Sequence, residues 1–225
     1  MARLTGAGGA GALFAVIALG LAIASAGCIN RKEGSGVEAS ETRELGSFTK
    51  ISLSGEATVE VTIGDPQSVI VRTDDNLLAD VETEVNADTL EVSEPSLTDL
   101  DPTAGMVVEV TVPELGEVEV SGSGDLSVTG VEGELFRAEV SGAGTVEASG
   151  EVEQVEAEVS GAGDVQLSQL IAQDATADVS GAGNIHVHAT ESLQADVSGA
   201  GDIIYSGDPA DVETDVSGAG DIRAG

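Results

Sequence analysis

The sequence predicts an all-β protein: a parallel β-helix with coils of ~19 residues, preceded by a β-rich amino-terminal half. Three observations carry that expectation. The motif V-S-G-[AS]-G-[DTN]-[VIL] is written six times, at Val120–Leu126, Val140–Val146, Val159–Val165, Val179–Ile185, Val197–Ile203 and Val216–Ile222. Its serines (Ser121, Ser141, Ser160, Ser180, Ser198, Ser217) are 20, 19, 20, 18 and 19 residues apart. Around each copy, apolar and polar residues alternate at the strand period of two. A unit this short cannot bury its own apolar face, so the copies must stack.

Residues 1–27 contain no acid, unlike everything after them. Arg3 supplies a small positive region, Leu13–Ala24 is an apolar run broken only by Gly20, and Ser25, Ala26 and Gly27 lead to Cys28. That is the layout of a secretion signal, and the run is too short to span a bilayer comfortably. Cys28 is the only cysteine, so no intrachain disulfide can form. Its position after Ala26-Gly27 resembles the lipobox of bacterial and archaeal lipoproteins, whose cysteine is acylated and becomes the mature amino terminus. Ser25 stands where an aliphatic residue is commoner, which leaves ordinary signal-peptidase cleavage as the alternative. A diacylated Cys28 gives the two-chain anchoring that one acyl chain cannot.

Residues 28–45 follow as a lipid-anchored flexible tether. Ile29–Leu45 is rich in Gly, Ser and Glu, lacks hydrophobic periodicity, and as a free chain reaches roughly 20 Å. Residues 46–115 form the β-rich half. F-T-K-I-S-L, A-T-V-E-V-T-I, S-V-I-V-R-T, D-V-E-T-E-V and T-L-E-V-S read as strands. Gly64-Asp65-Pro66, Asp74-Asp75-Asn76 and Asn86-Ala87-Asp88 supply turns. Ser96–Gly105 is an acidic loop, and Met106–Pro113 is a strand leading into the repeats.

Residues 116–225 are the six-repeat β-helix half. In the third copy Ala157, Val159, Gly161, Gly163, Val165 and Leu167 fall on the inward side. Glu158, Ser160, Ala162, Asp164 and Gln166 fall on the outward side. The inward glycines give room for a tight corner and for close backbone approach.

The repeated V-S-G-[AS]-G-[DN]-[VI], the β-rich half before it and the closing I-I-Y-S-G-D-P…V-S-G-A-G resemble the GIN-domain family over about Leu45–Gly225. Members of that family are described as heads of autotransporter adhesins and often carry lipoprotein or secretion signals. The resemblance implies a right-handed parallel β-helix at the cell surface, and it implies no catalytic residues.

Sharper chemistries find little support in the residues. G-A-G-D-V-Q lacks the third glycine of a dinucleotide fingerprint, and no helix follows to cradle a phosphate. The serines are not in G-x-S-x-G, and His186 and His188, the only histidines, are badly placed for a triad. Those two histidines share a face, but their neighbours one coil away (Gln166, Ser168, Ile204, Ser206) are poor metal ligands. The position after G-[AS]-G reads Asp125, Thr145, Asp164, Asn184, Asp202, Asp221. Stacked like charges repel, and Thr145 and Asn184 read as relief of that repulsion rather than as a cation site. The reading is therefore no catalytic residue, no metal and no cofactor.

Composition narrows the partners. There are 41 acids against 8 basic residues, a formal net charge of -33, which excludes nucleic-acid binding and disfavours anionic lipid. The expected protein is exported, non-enzymatic and held in the cell envelope by a lipid on Cys28, with a structural or adhesive role. Its partners would be the membrane, through that anchor, and an unidentified surface protein or glycan; the sequence sets no oligomeric state. The alternative is a cation- or glycan-binding surface module, although three Phe, one Tyr and no Trp offer sugars few stacking rings.

Overall fold

A computed structural model describes residues 30–95 and 97–225. The expected secretion signal and Cys28 lie outside the described residues. The first strands are β1 (Asn30–Glu33), β2 (Glu38–Thr42), β3 (Lys50–Leu53), β4 (Thr58–Ile63) and β5 (Ser68–Asp74). After one 3-10 turn at Leu78–Asp80 come β6 (Glu82–Asn86), β7 (Thr89–Ser93), β8 (Thr98–Asp101) and β9 (Val107–Val112). The repeats supply β10 (Glu117–Val120), β11 (Asp125–Val140), β12 (Thr145–Val159) and β13 (Asp164–Val179). They end in β14 (Ile185–Val197), β15 (Ile203–Ser206), β16 (Asp211–Val216) and β17 (Ile222–Ala224).

The repeat strands pair in parallel, each on its copy one coil away, as the ~19-residue period requires. The six motif copies bound five turns of a β-solenoid. Inward residues of successive coils stack in rows: Val120, Val140, Val159, Val179 and Val197 are all buried, and Val216 ends the row 44% exposed. The inward and outward sets of the third copy are as expected, with Ala157, Val159, Gly163, Val165 and Leu167 buried and Glu158, Ser160 and Ala162 exposed. Phe136, the one aromatic among the largest fully buried side chains, stacks on Val155, which stacks on Ala175.

The motif glycines are explained by close approach. A Cβ on Gly142 would collide with the carbonyl oxygen of Gly122, and one on Gly161 with that of Gly142. Adjacent corners are joined there by backbone bonds such as Ala143 N–H to Gly122 O (2.9 Å) and Ala162 N–H to Gly142 O (2.9 Å). A side chain would hold the corners apart.

The solenoid extends below the first V-S-G copy. Val120 pairs with Leu53, and Leu53 pairs with Val92, so the row of valines gains two members from the amino-terminal half. Leu53-Ser54-Gly55-Glu56-Ala57-Thr58-Val59 is a degenerate copy of the motif. Below it, Val92-Ser93-Glu94 and Met106-Val107-Val108 are the two halves of another, split by an insertion. At the split corner the Glu94 side chain replaces the missing backbone acceptor, taking N–H bonds from Glu56 (2.9 Å) and Ala57 (3.1 Å). Burial there pushes the Glu94 carboxyl up despite those bonds. The bottom row is closed by antiparallel strands, β5 against β9, β2 against β5 and β6 against β7.

One expectation is corrected. Residues 28–45 read as a free tether, but Asn30–Thr42 forms two strands docked on this closed end. An edge strand needs no inward apolar set, so the absence of hydrophobic periodicity carried no information about it. Strand β2 is exposed at four of its five positions and is held by its backbone.

Candidate functional site

Three outward faces of the solenoid carry chemistry, and the coil register decides what each can do. The first is the row after the glycine corner. The Asp164 carboxylate accepts from Asn184 N–H (2.9 Å) and from Asn184 Nδ2 (2.8 Å). Asn184 Oδ1 accepts from Asp202 N–H (3.1 Å), and Asp202 Oδ1 from Asp221 N–H (2.9 Å). Each side chain thus takes up an N–H of the next coil at a corner where the strand ladder breaks. Arg223 donates to Asp202 Oδ2 (2.9 Å) and, with the Asp221 N–H, holds the Asp202 carboxyl below the usual range. Asp125 pairs in register with Thr145. These oxygens have backbone work to do, and among the described residues no three His, Cys, Asp or Glu converge as a metal cage.

The second face is a row the sequence reading did not assemble. Glu119, Glu139, Glu158, Asp178, Asp196 and Asp215 stack in register, one per coil, each immediately before the motif valine. The strands that carry these six carboxylates are spaced about 4.8 Å apart. Burial, followed by the charges of Glu158 and Glu119, pushes the Glu139 carboxyl up. Burial, followed by Asp196 and Glu158, does the same for Asp178. The signal was available, since every copy reads E-V-S or D-V-S. One row away Arg137 pairs with Glu156, its Nε donating at 2.8 Å. The motif serines flank the acids, and their N–H groups donate down the stack, for example Ser160 to Val140 O (3.0 Å).

The third face lies on the other side of the corner. The ladder slips where residues are inserted, between Thr129 and Val131 and between Glu147 and Ser149. These slips open a groove of about 290 Å³ lined by Ser127, Thr129, Ser149, Gln166, Ser168 and Gln169 around Glu147. Its donors and acceptors are neutral hydroxyls and amides with a single carboxylate.

The histidines lie just beyond this groove. His186 stands between Gln166 and Ile204, and His188 Nδ1 meets Ser206 Oγ at 3.1 Å, as the repeat offset gave. Its other neighbour is corrected: His188 pairs with Ile171, because Ser168–Leu170 bulge out of the register. No helix among the described residues is long and apolar enough to cross a membrane.

Comparison with known proteins agrees with this architecture. Residues 47–209 match the family model described as "Putative auto-transporter adhesin, head GIN domain". A solved structure titled a putative adhesin from Bacteroides fragilis NCTC 9343 is 22% identical with a TM-score of 0.69, covering 86% of this chain and 99% of its own. One titled a putative lipid binding protein from Parabacteroides distasonis ATCC 8503 is 21% identical with a TM-score of 0.60, covering 87% and 100%. A putative adhesin from the same organism is 21% identical with a TM-score of 0.56, again covering 87% and 100%. At these identities the likeness is one of fold. No curated protein matches the chain.

Proposed function

The chain belongs to the GIN-domain family, and from that premise we propose that it is an exported, non-enzymatic interaction module, anchored to the membrane by a lipid on Cys28. The observation that carries this reading is the form of the surface. Outward side chains are arranged in rows that repeat from coil to coil. Repeated rows on a rigid stack suit multivalent attachment to a surface.

Two experiments test the proposal. Growth with a radiolabelled fatty acid marks the wild-type chain and leaves Cys28→Ser unlabelled; equal labelling of both ends the anchor. Beads carrying the mature chain adhere to intact cells more than bare beads do, and no difference across a panel of cell types ends the adhesive reading.

A second reading, glycan binding, is favoured by the groove around Gln166 and Ser149, whose lining is hydroxyls and amides with the single carboxylate of Glu147. It lacks aromatic stacking, so a sugar there would be held by hydrogen bonds alone. Adhesion abolished by Ser149→Trp, with the fold intact, assigns the attachment to that groove.

A further inference from the structure

We propose that Asn30–Thr42 is a rigid mount that holds the closed end of the solenoid against the membrane and carries the repeat coils outward. This rests on the Cys28 anchor proposed above. The mount itself rests on the docking of the segment. Strand β1 pairs in parallel with β8, and β2 antiparallel with β5. Lys32 binds Asp80 (2.5 Å) and Arg31 binds Asp101 (2.6 Å). Between the two strands the buried Asp74 carboxylate accepts N–H bonds from Gly36 (2.6 Å), Thr103 (2.8 Å) and Ala104 (3.0 Å). One side chain therefore ties the amino-terminal segment, the end of β5 and the insertion together. Asn76 adds a clamp, accepting from Ser35 N–H (2.9 Å) and donating to Glu33 O (2.9 Å).

The consequence is geometric. Only Ile29 separates Cys28 from the first docked residue, Asn30, a span of at most about 7 Å. A lipid on Cys28 thus lies beside the closed end, with no tether to swing on. The row from Val92 through Leu53 and Val120 to Val216 has eight members, so the last coil stands about 34 Å above the first. Net charge does not choose the pose, because residues 117–225 hold 22 acids and two arginines and residues 30–116 hold 19 acids and five basic residues. The short link from Cys28 to the docked strands does.

The test uses the lipidated full-length product in phosphatidylglycerol-containing vesicles doped with an acceptor lipid. A donor dye is placed on Glu84→Cys, exposed at the closed end, or on Glu213→Cys, exposed on the last coil; acylated Cys28 does not react. Transfer several-fold stronger at position 84 than at 213 is expected. Asp74→Ala, or a ten-residue Gly-Ser insert after Ile29, should shrink that ratio towards one. Equal transfer at both positions in the wild type, or an insert with no effect, overturns the mount while leaving the anchor standing. Failure to join vesicles overturns the anchor and the proposal together. Hydrogen exchange on the same protein checks docking separately: slow exchange across 31–42 that Asp74→Ala accelerates supports the mount, and fast exchange in the wild type overturns it.

Discussion

Glu158 is the centre of the six-carboxylate row, between Glu139 and Asp178. Replacing it by glutamine removes two like-charge contacts while keeping shape, because the side chain is exposed and contributes nothing to the core. Rows about 4.8 Å apart give a repulsion of about 0.9 kcal/mol per neighbour at the dielectric of water. Two neighbours sum to about 1.7 kcal/mol, which a Debye length of about 10 Å at 0.1 M salt reduces to about 1 kcal/mol. At 1 M salt, where that length is about 3 Å, about 0.3 kcal/mol is left. Glu158→Gln should therefore raise the melting temperature by roughly 2–4 °C in dilute buffer and by a fraction of that in molar NaCl. Urea unfolding at both salt concentrations gives the two free energies directly. NMR titration should show the Glu139 and Asp178 carboxyls, both pushed up in the wild type, moving back towards ordinary values. A variant equally or less stable than wild type at low salt would refute the reasoning. So would a gain indifferent to salt.

The pH dependence of stability has two limbs. Glu139 and Asp178 are raised when folded, so protonating them favours the native state, and stability should rise as pH falls from neutral towards their ordinary values of 4.5 and 3.8. Asp74 and Asp202 are lowered, so their contribution is present above 3.8 and lost as pH falls through their folded values. A thermal-melt series should peak at mildly acid pH, and a steady fall below neutrality would contradict it. Val159→Asp buries an unpaired carboxylate in the valine row and should cost several kcal/mol, whereas Glu158→Lys, which turns two repulsions into attractions, should stabilise at least as much as Glu158→Gln. Matching melts for Val159→Asp and wild type would mean that the inward assignment is wrong. Gly142→Ala should destabilise by about 1–3 kcal/mol or more through its clash with Gly122, and Ala143→Ser, on the exposed position beside it, should not.

The repeat half was legible because stacking imposes one rule many times. A coil register fixed by Val159 over Val140 is written again by Val179 over Val159, so periodicity and alternation reinforce each other. The lower rows escaped detection where that redundancy is lost. Leu53-Ser54-Gly55-Glu56-Ala57-Thr58-Val59 replaces one glycine with alanine, and the row beneath is cut by an insertion whose missing acceptor is the Glu94 side chain. The carboxylate row is written in every E-V-S and D-V-S, six residues before the polar position that follows the corner. The Asp and Asn side chains at that position proved to accept backbone N–H groups. Docking of 30–42 depends on backbone pairing and on Asp74, 38 residues from Gly36, which local patterning cannot register. The Ile171 neighbour of His188 was hidden by a bulge, because repeat offsets assume coils of equal length.

The acids of the Glu119–Asp215 row do not serve stability. Each row-to-row contact in the Glu119–Asp215 ladder costs about half a kilocalorie per mole once screened, whereas burying one valine contributes about 1.5 kcal/mol or more. The aliphatic core therefore carries the ladder, and the explanation of the charge lies at the surface. The last coil makes this concrete. Strand β16 pairs on β14 and leaves its other edge unpaired among the described residues, with Val212 and Val216 45% and 44% exposed. Asp211, Glu213 and Asp215 alternate with those valines along the same edge. A coil offering open backbone groups and apolar side chains is a template for another like strand, and charge on an edge is a recognised means of blocking such pairing. At the opposite end the antiparallel strands β2, β5 and β6 close the stack and the acids are partly paired with arginine and lysine. One end is thus closed by antiparallel strands, and at β16 three carboxylates share a strand with two half-exposed valines.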